Sequence, residues 1–363
     1  MSAKTAQREA LLQTIEQKPH LNGRFERMER IDQHGGGGQF SLVFRALDRH
    51  TKQDVALKFF DPTQRTDMYR WESFKREIDL LPEFNRKPDI LQCLSGLMEF
   101  KENFTSQLGI IFGVDFAYYA VELAEYDASV AIAGNRWSAR QKLEYFRAMC
   151  RAVQRIHRER VAHRDLKPSN FLIMSDGTLR LSDFGAARMI AGSRNGIAAI
   201  YTGPPGDLRY VSPEMMATLH DMNPSFAFRG DIYALGAILF ELFTGTVLNL
   251  HVLNGNTLAF LNHAMNAVPP DQRVQTYNGF VSALASGHPL PSVGLFGGQA
   301  PPSIVGLIDR LFRSLAALDY RARKCDFVHI FMQIDRCLYV LDHDAAYHRW
   351  REQKRMRKAK SVS

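Results

Sequence analysis

The chain has 363 residues and a formal net charge of +8, with an apolar share of 45% that supports an ordinary folded core. No apolar run approaches the length of a membrane span, since the richest, 232–243, is short and carries Glu241, and the polar N-terminus with Glu9 has no signal-peptide core. Cys93, Cys150, Cys325 and Cys337 lack metal-type pairing and read as reduced, mostly buried thiols of a cytoplasmic protein.

Residues 1–22 are polar with one short amphipathic piece, in which the spacing of Leu11, Leu12 and Ile15 predicts a short helix, either a docking extension or a frayed end. Residues 25–60 read as strands around the run His34-Gly35-Gly36-Gly37-Gly38. A glycine-rich turn of this kind lets backbone N–H groups come close to phosphates. Over 69–83, Trp71, Phe74, Ile78 and Leu81 fall on one helical face, and Pro82 and Pro88 end the helix. Residues 90–126 read as further strands, with 103–115 longer than a tight hairpin needs and taken as an insertion. Over 139–160, Leu143, Phe146, Met149, Cys150, Val153 and Ile156 repeat at helical spacing.

The stretch 163–185, HRDLKPSNFLIMSDGTLRLSDFG, carries the chemistry. Lys167 follows Asp165 by two residues, Asn170 by five and Asp183 by eighteen. Two short strands flank the turn at Ser175-Asp176-Gly177, and that hairpin brings Asn170 close to Asp183. Phosphoryl transfer uses such a set, because its transition state spreads charge over oxygens and needs positioning and countercharge. Asn and Asp oxygens suit Mg²⁺, a second Asp can accept a hydroxyl proton, and a Lys can neutralise the moving phosphate.

Beyond it, 183–214 is a long Gly-, Pro- and Ser-containing connection, the mark of a functional loop. Residues 245–302 read as short helices and an irregular stretch at 289–303, and 303–341 returns to helical spacing. The tail, 342–363, is basic and reads as a solvated helix end followed by disorder, with an acidic partner as the alternative. The chain shows no repeats and no extended interleaving of aromatics of the sort that stacks on bases, so nucleic acid is not an expected partner.

His163-Arg164-Asp165 with Asn170, followed by Asp183-Phe184-Gly185, resembles the catalytic loop and metal-binding triplet of the protein kinases. Val55-Ala56-Leu57-Lys58 resembles that family's third-strand motif, and Ser212-Pro213-Glu214 its segment-closing triplet. The resemblance covers about 25–340. It implies an α+β, bilobal protein-kinase-like fold, with an N-terminal extension at 1–24, a small β-rich N-lobe at about 25–121, a hinge at about 122–127, a larger α-helical C-lobe at about 128–341, and the basic tail.

By the resemblance, Asp165 is the catalytic base, Lys167 steadies the transferred phosphate, and Asn170 and Asp183 hold magnesium. Lys58 pairs the α/β phosphates of ATP and is oriented by Glu77, with Glu72 as the fallback. Gly36, Gly38 and Phe40 match the phosphate loop, with Ser41 at its third glycine. Val43 and Ala56 wall the base, Val121 stands at the gatekeeper position, and Glu122 and Ala124 offer backbone groups to adenine. Glu214 is expected to meet Arg323, with Arg321 as the fallback. Asp231 is expected to open the central helix and hold the catalytic-loop backbone.

Where Ser/Thr members usually carry Gly-Thr, this chain has Gly206-Asp207. Ser193, Tyr201 and Thr202 are the loop's candidate phosphosites, with Arg164 as partner. The implied activity is transfer of the γ-phosphate of Mg-ATP to protein Ser/Thr hydroxyls, the chain's own included. The alternatives are a catalytically weak scaffold and a small-molecule phosphotransferase of the same fold.

Overall fold

The computed structural model describes residues 3–31, 41–105, 111–190, 206–217, 219, 224–253, 261, 263–265, 267–287, 289–296 and 299–360. Gly36, Gly38 and Phe40, and the candidate phosphosites Ser193, Tyr201 and Thr202, lie outside them. The chain divides into two compact units. The first takes 1–130, 168–187 and 195–201; the second takes 131–167, 188–194 and 202–363.

The first unit is built on a six-stranded antiparallel sheet. Its strands are β1 (His20–Leu21), β2 (Phe25–Arg30), β3 (Ser41–Asp48), β4 (Gln53–Phe60), β5 (Met98–Thr105) and β6 (Ile111–Glu122), in the order β1-β2-β3-β4-β6-β5. Side chains alternate across a pleat, and here both faces are covered. On one face Leu42, Phe44, Val55, Leu57, Phe59, Phe116 and Tyr118 form a single core with Leu11, Leu12 and Ile15 of helix α1 (Ala3–Glu16). The predicted N-terminal helix is thus part of the sheet's own core; burying each such aliphatic side chain stabilises by about 1.5–3 kcal/mol.

The other face receives helix α2 (Met68–Leu80), capped by Asp67. Its Phe74 ring lies 5.5 Å from Phe60 and 5.4 Å from Tyr119. Within the 103–115 stretch, 103–105 and 111–115 are strand, since β5 and β6 stay paired from Met98↔Tyr118 out to Thr105↔Ile111.

Asp48 ends β3 and is nearly inaccessible, accepting from Arg24 Nη2 at 2.7 Å and from the His50 amide at 2.9 Å. The Arg24 hydrogen bond outweighs burial and holds the Asp48 carboxyl down at about 2. A depressed carboxyl contributes stability above its unfolded range and loses it as pH falls through the folded value. Acid unfolding should therefore show a component between about pH 4 and pH 2. Asp48→Asn should remove it, as read by circular dichroism against pH.

The same unit contains β7 (Tyr126–Asp127), β9 (Phe171–Ile173) and β10 (Leu179–Leu181) in the order β10-β9-β7. The predicted hairpin is present, with Leu181↔Phe171 and Leu179↔Ile173 in register. Helix α3 (Ala128–Ala133) carries the chain into the second unit.

The second unit is helical. A Ser138/Gln141 capping box starts α4 (Ala139–Arg158), whose predicted stripe is buried. A short ribbon pairs β8 (Val161–Ala162) with β11 (Arg188–Met189). After α5 (Pro213–Met216) comes α6 (Pro224–Thr244), apolar on nearly every face over 232–243 and buried there, as such a helix must be. Pro224 stands at its first position, a favoured start. Asp231 therefore lies inside the helix, and the expectation that it opens the helix is corrected.

After α7 (Asn249–Val252), the region expected to hold only short helices contains α8 (Pro270–Gly287), 18 residues anchored by Tyr277, Val281 and Leu284. Next come α9 (Val305–Leu315) and α10 (Phe327–Lys360), which continues through the basic tail as helix. Among the described residues no helix is long and apolar enough to cross a membrane.

Candidate active site

In the first unit the sheet face turned toward α2 carries the predicted nucleotide side chains. Antiparallel partners share a face, and the register pairs Val43 with Lys58, Lys58 with Tyr119 and Ala56 with Val121. Four positions read separately from sequence thus project from one surface.

Lys58 Nζ donates to Glu77 Oε2 at 2.6 Å and lies 3.5 Å from Asp183 Oδ1. Glu77 is 3% exposed, whereas Glu72 pairs with Lys75 on the helix surface, so the choice between the two glutamates falls to Glu77. Burial works against the Lys58 ammonium, but Asp183 and Glu77 outweigh it and leave its pKa above the usual lysine range.

The hairpin positions the metal candidates. The Ser182 amide and hydroxyl both donate to the Asn170 carbonyl, at 2.9 and 3.0 Å, tying Asn170 to the residue before Asp183. Asp183 adopts φ 61°, ψ 67°, a left-handed conformation that a non-glycine residue holds only under constraint. Arg76 of α2 donates to the Gly185 carbonyl just beyond it. Asp183 keeps a partly accessible carboxylate and Asn170 is buried. Both are hard oxygen donors, a set that suits Mg²⁺.

At the end of β6 the Glu122 amide donates to the Gln92 carbonyl at 3.2 Å. The Glu122 side chain accepts from the Gln92 amide at 3.0 Å and lies 3.5 Å from Arg180. The side chain therefore pins the strand end, a structural use the sequence reading did not give it.

In the second unit the catalytic-loop residues are gripped by α6. Asp231 accepts from the His163 amide at 2.8 Å and the Arg164 amide at 2.8 Å, and from His157 Nε2 at 2.8 Å. The histidine contact was missed, since only the fold brings α4 alongside α6. Lys167 Nζ donates to Asp165 Oδ2 at 2.9 Å, and the Asp207 amide donates to Asp165 Oδ1 at 2.8 Å. Both oxygens of the predicted base are thus oriented.

Gly206, at φ +88°, allows that approach, because an added Cβ would sit 2.5 Å from the Arg164 carbonyl. The unexpected element is Arg209, whose guanidinium takes both Asp207 oxygens, at 2.7 Å from Nη2 and 3.0 Å from Nε. Glu214 meets Arg323 as expected, with both side chains inaccessible and Nη2 to Oε2 at 2.9 Å, while Arg321 turns to Asp319.

A β-rich first unit that holds a lysine between two carboxylates and a helical second unit agree with the α+β class expected from the sequence. A protein kinase domain model matches residues 30–278, and the chain belongs to that family. The chain is 29% identical over 230 residues to "Cell division control protein 2 homolog 3" of Trypanosoma brucei brucei, covering 63% of this chain and 66% of that protein. It is 31% identical over 211 residues to CBL-interacting serine/threonine-protein kinase 15 of Arabidopsis thaliana, covering 58% and 45%. With cyclin-dependent kinase 9 of Rattus norvegicus it shares 26% over 252 residues, covering 68% and 63%. The chain thus spans less than two thirds of the length of each of these relatives.

Proposed function

We propose that the chain is a protein serine/threonine kinase transferring the γ-phosphate of Mg-ATP to protein hydroxyls. The observation that carries the reading is the Lys58 ammonium held between Glu77 and Asp183. In this reading Lys58 binds the α/β phosphates. Val43 and Ala56 wall the base, and the backbone at Glu122 and Ala124 meets adenine. Gly36, Gly38 and Phe40 belong to the phosphate loop. Asn170 and Asp183 would hold Mg²⁺, which when bound draws charge from the phosphate oxygens. Asp165 accepts the hydroxyl proton and Lys167 neutralises the phosphate in transit.

The Glu214–Arg323 clasp favours a protein substrate over a small alcohol, because it fastens the segment on which a peptide would rest. Asp207, which by its charge supports a scaffold reading, has that charge matched by Arg209.

The test is incubation with Mg²⁺ and γ-labelled ATP, offering mixed protein substrates or a panel of small alcohols. Label should appear as phosphoserine and phosphothreonine. Label confined to alcohols, or none, overturns the reading. Glu77→Gln keeps shape and removes the charge that orients Lys58; it should lower kcat/KM for ATP about tenfold, roughly the 1–2 kcal/mol of a charge-assisted hydrogen bond. Unchanged steady-state kinetics would show that Glu77 does not orient Lys58.

A further inference from the structure

We propose that Arg209 is a positioning residue for the base, its fork on Asp207 cancelling a carboxylate that stands beside Asp165. This rests on the reading of Asp165 as proton acceptor. Asp207 occupies the position where the resemblance leads one to expect an uncharged threonine. Its amide donates to Asp165 Oδ1, and its carboxylate feels the charge of Lys167, the same ammonium that pairs with Asp165. Two acids so placed compete for Lys167 and raise each other's affinity for a proton. Arg209 removes the competition with a bidentate pair, the geometry in which arginine binds carboxylates most specifically.

Other charged neighbours are found among the described residues. Lys167 comes from the catalytic loop, where Arg164 also lies. The Arg209 guanidinium lies 5.7 Å from the centre of the Tyr210 ring, and the Tyr210 hydroxyl donates to Glu241 of α6 at 2.8 Å. Asp231 of α6 lines the same small cavity as Asp165 and Asp207 but is engaged with the His163 and Arg164 amides. Burial works to raise the Asp207 carboxyl, and the Arg209 contacts outweigh it, holding Asp207 below the ordinary carboxylate range. With Arg209 half-exposed and Asp207 mostly covered, truncating the arginine opens no core and leaves the acid in place.

The experiment compares wild type, Arg209→Ala, Arg209→Gln and the double variant Arg209→Ala/Asp207→Asn. Two readouts are used: the pH profile of kcat, and carboxyl titration by NMR of protein carrying ¹³C at the aspartate side chain. In both single variants the acid limb and the Asp165 titration should move up by about one pH unit, with kcat on that limb falling about tenfold, the size of a close like-charge effect. Neutralising Asp207 in the double variant should restore both.

A shift that persists in the double variant would show that Arg209 acts by packing on Tyr210, and overturns the proposal. So does the absence of any shift in the single variants. If wild type transfers no phosphate, the kinase reading fails, but the titrations still decide whether Arg209 tunes Asp165.

Discussion

Asp165→Asn should lower phosphate transfer by about 10²–10⁴-fold, the range supplied by a positioned general base, while leaving the protein folded. Asparagine has the shape of aspartate, and the loop that presents it is held elsewhere, by the Asp231 carboxylate on the His163 and Arg164 amides. Two changes follow at the side chain. The carboxylate that would take the hydroxyl proton is gone. One of the two donors that now meet Asp165, the Lys167 ammonium or the Asp207 amide, must face an NH₂ group instead of an oxygen. The ATP contacts assigned to Lys58 lie in the other unit, so the KM for ATP should change little while kcat collapses. Initial rates across ATP concentrations, with thermal unfolding as control, check this. Equal rates for the two proteins would remove Asp165 from the mechanism.

The catalytic loop and hairpin were legible because their chemistry is compressed into 23 residues, where chain proximity does much of the positioning. The Lys58–Glu77 pair was half legible. Two glutamates lie on one helix within reach of a plausible offset, and only the burial of α2 against the sheet separates the inaccessible Glu77 from the surface Glu72. The strands within 103–115 were hard to read because their side chains mix Phe104 and Phe112 with polar and glycine residues. What makes 103–105 and 111–115 strand is the continued backbone pairing, which hydrophobic patterning does not report. Asp231 misled for a related reason: an aspartate just before the apolar run at 232–243 looks like a helix start, and the actual start lies about two turns upstream, marked by Pro224 ahead of a stretch whose apolar stripe is less marked. Helix α8 was missed because its buried stripe is only Tyr277, Val281 and Leu284, too sparse to stand out. Arg209 lies two residues from Asp207 and was in plain view. Whether such a pair forms depends on the turn at 207–210, where the Tyr210 amide donates to the Asp207 carbonyl at 2.9 Å.

Arg323→Met should cost about 3–5 kcal/mol of stability, the penalty for stranding one member of a buried ion pair. Both side chains are wholly inaccessible, so the loss is not screened by solvent. Arg323 also donates to the carbonyls of Ala317 at 2.7 Å, Arg229 at 3.1 Å and Leu318 at 3.3 Å, and lies over the Tyr233 ring at 4.9 Å. Methionine fills much of the volume but leaves Glu214 a buried carboxylate facing carbonyl oxygens that have lost their donor, an arrangement less favourable than either partner's ordinary surroundings. Glu214→Gln should be milder, because the guanidinium keeps its three carbonyls and the amide oxygen can still accept from it. The double variant Arg323→Met/Glu214→Met should recover part of the loss, since two apolar groups in a sealed site need no counter-charge. Urea unfolding of the wild type, both Met single variants and the double variant closes a cycle. A coupling below about 0.5 kcal/mol would show that the two residues act separately. A larger coupling would place the fastening of α5, and of the segment whose Asp207 amide orients Asp165, in this one buried pair.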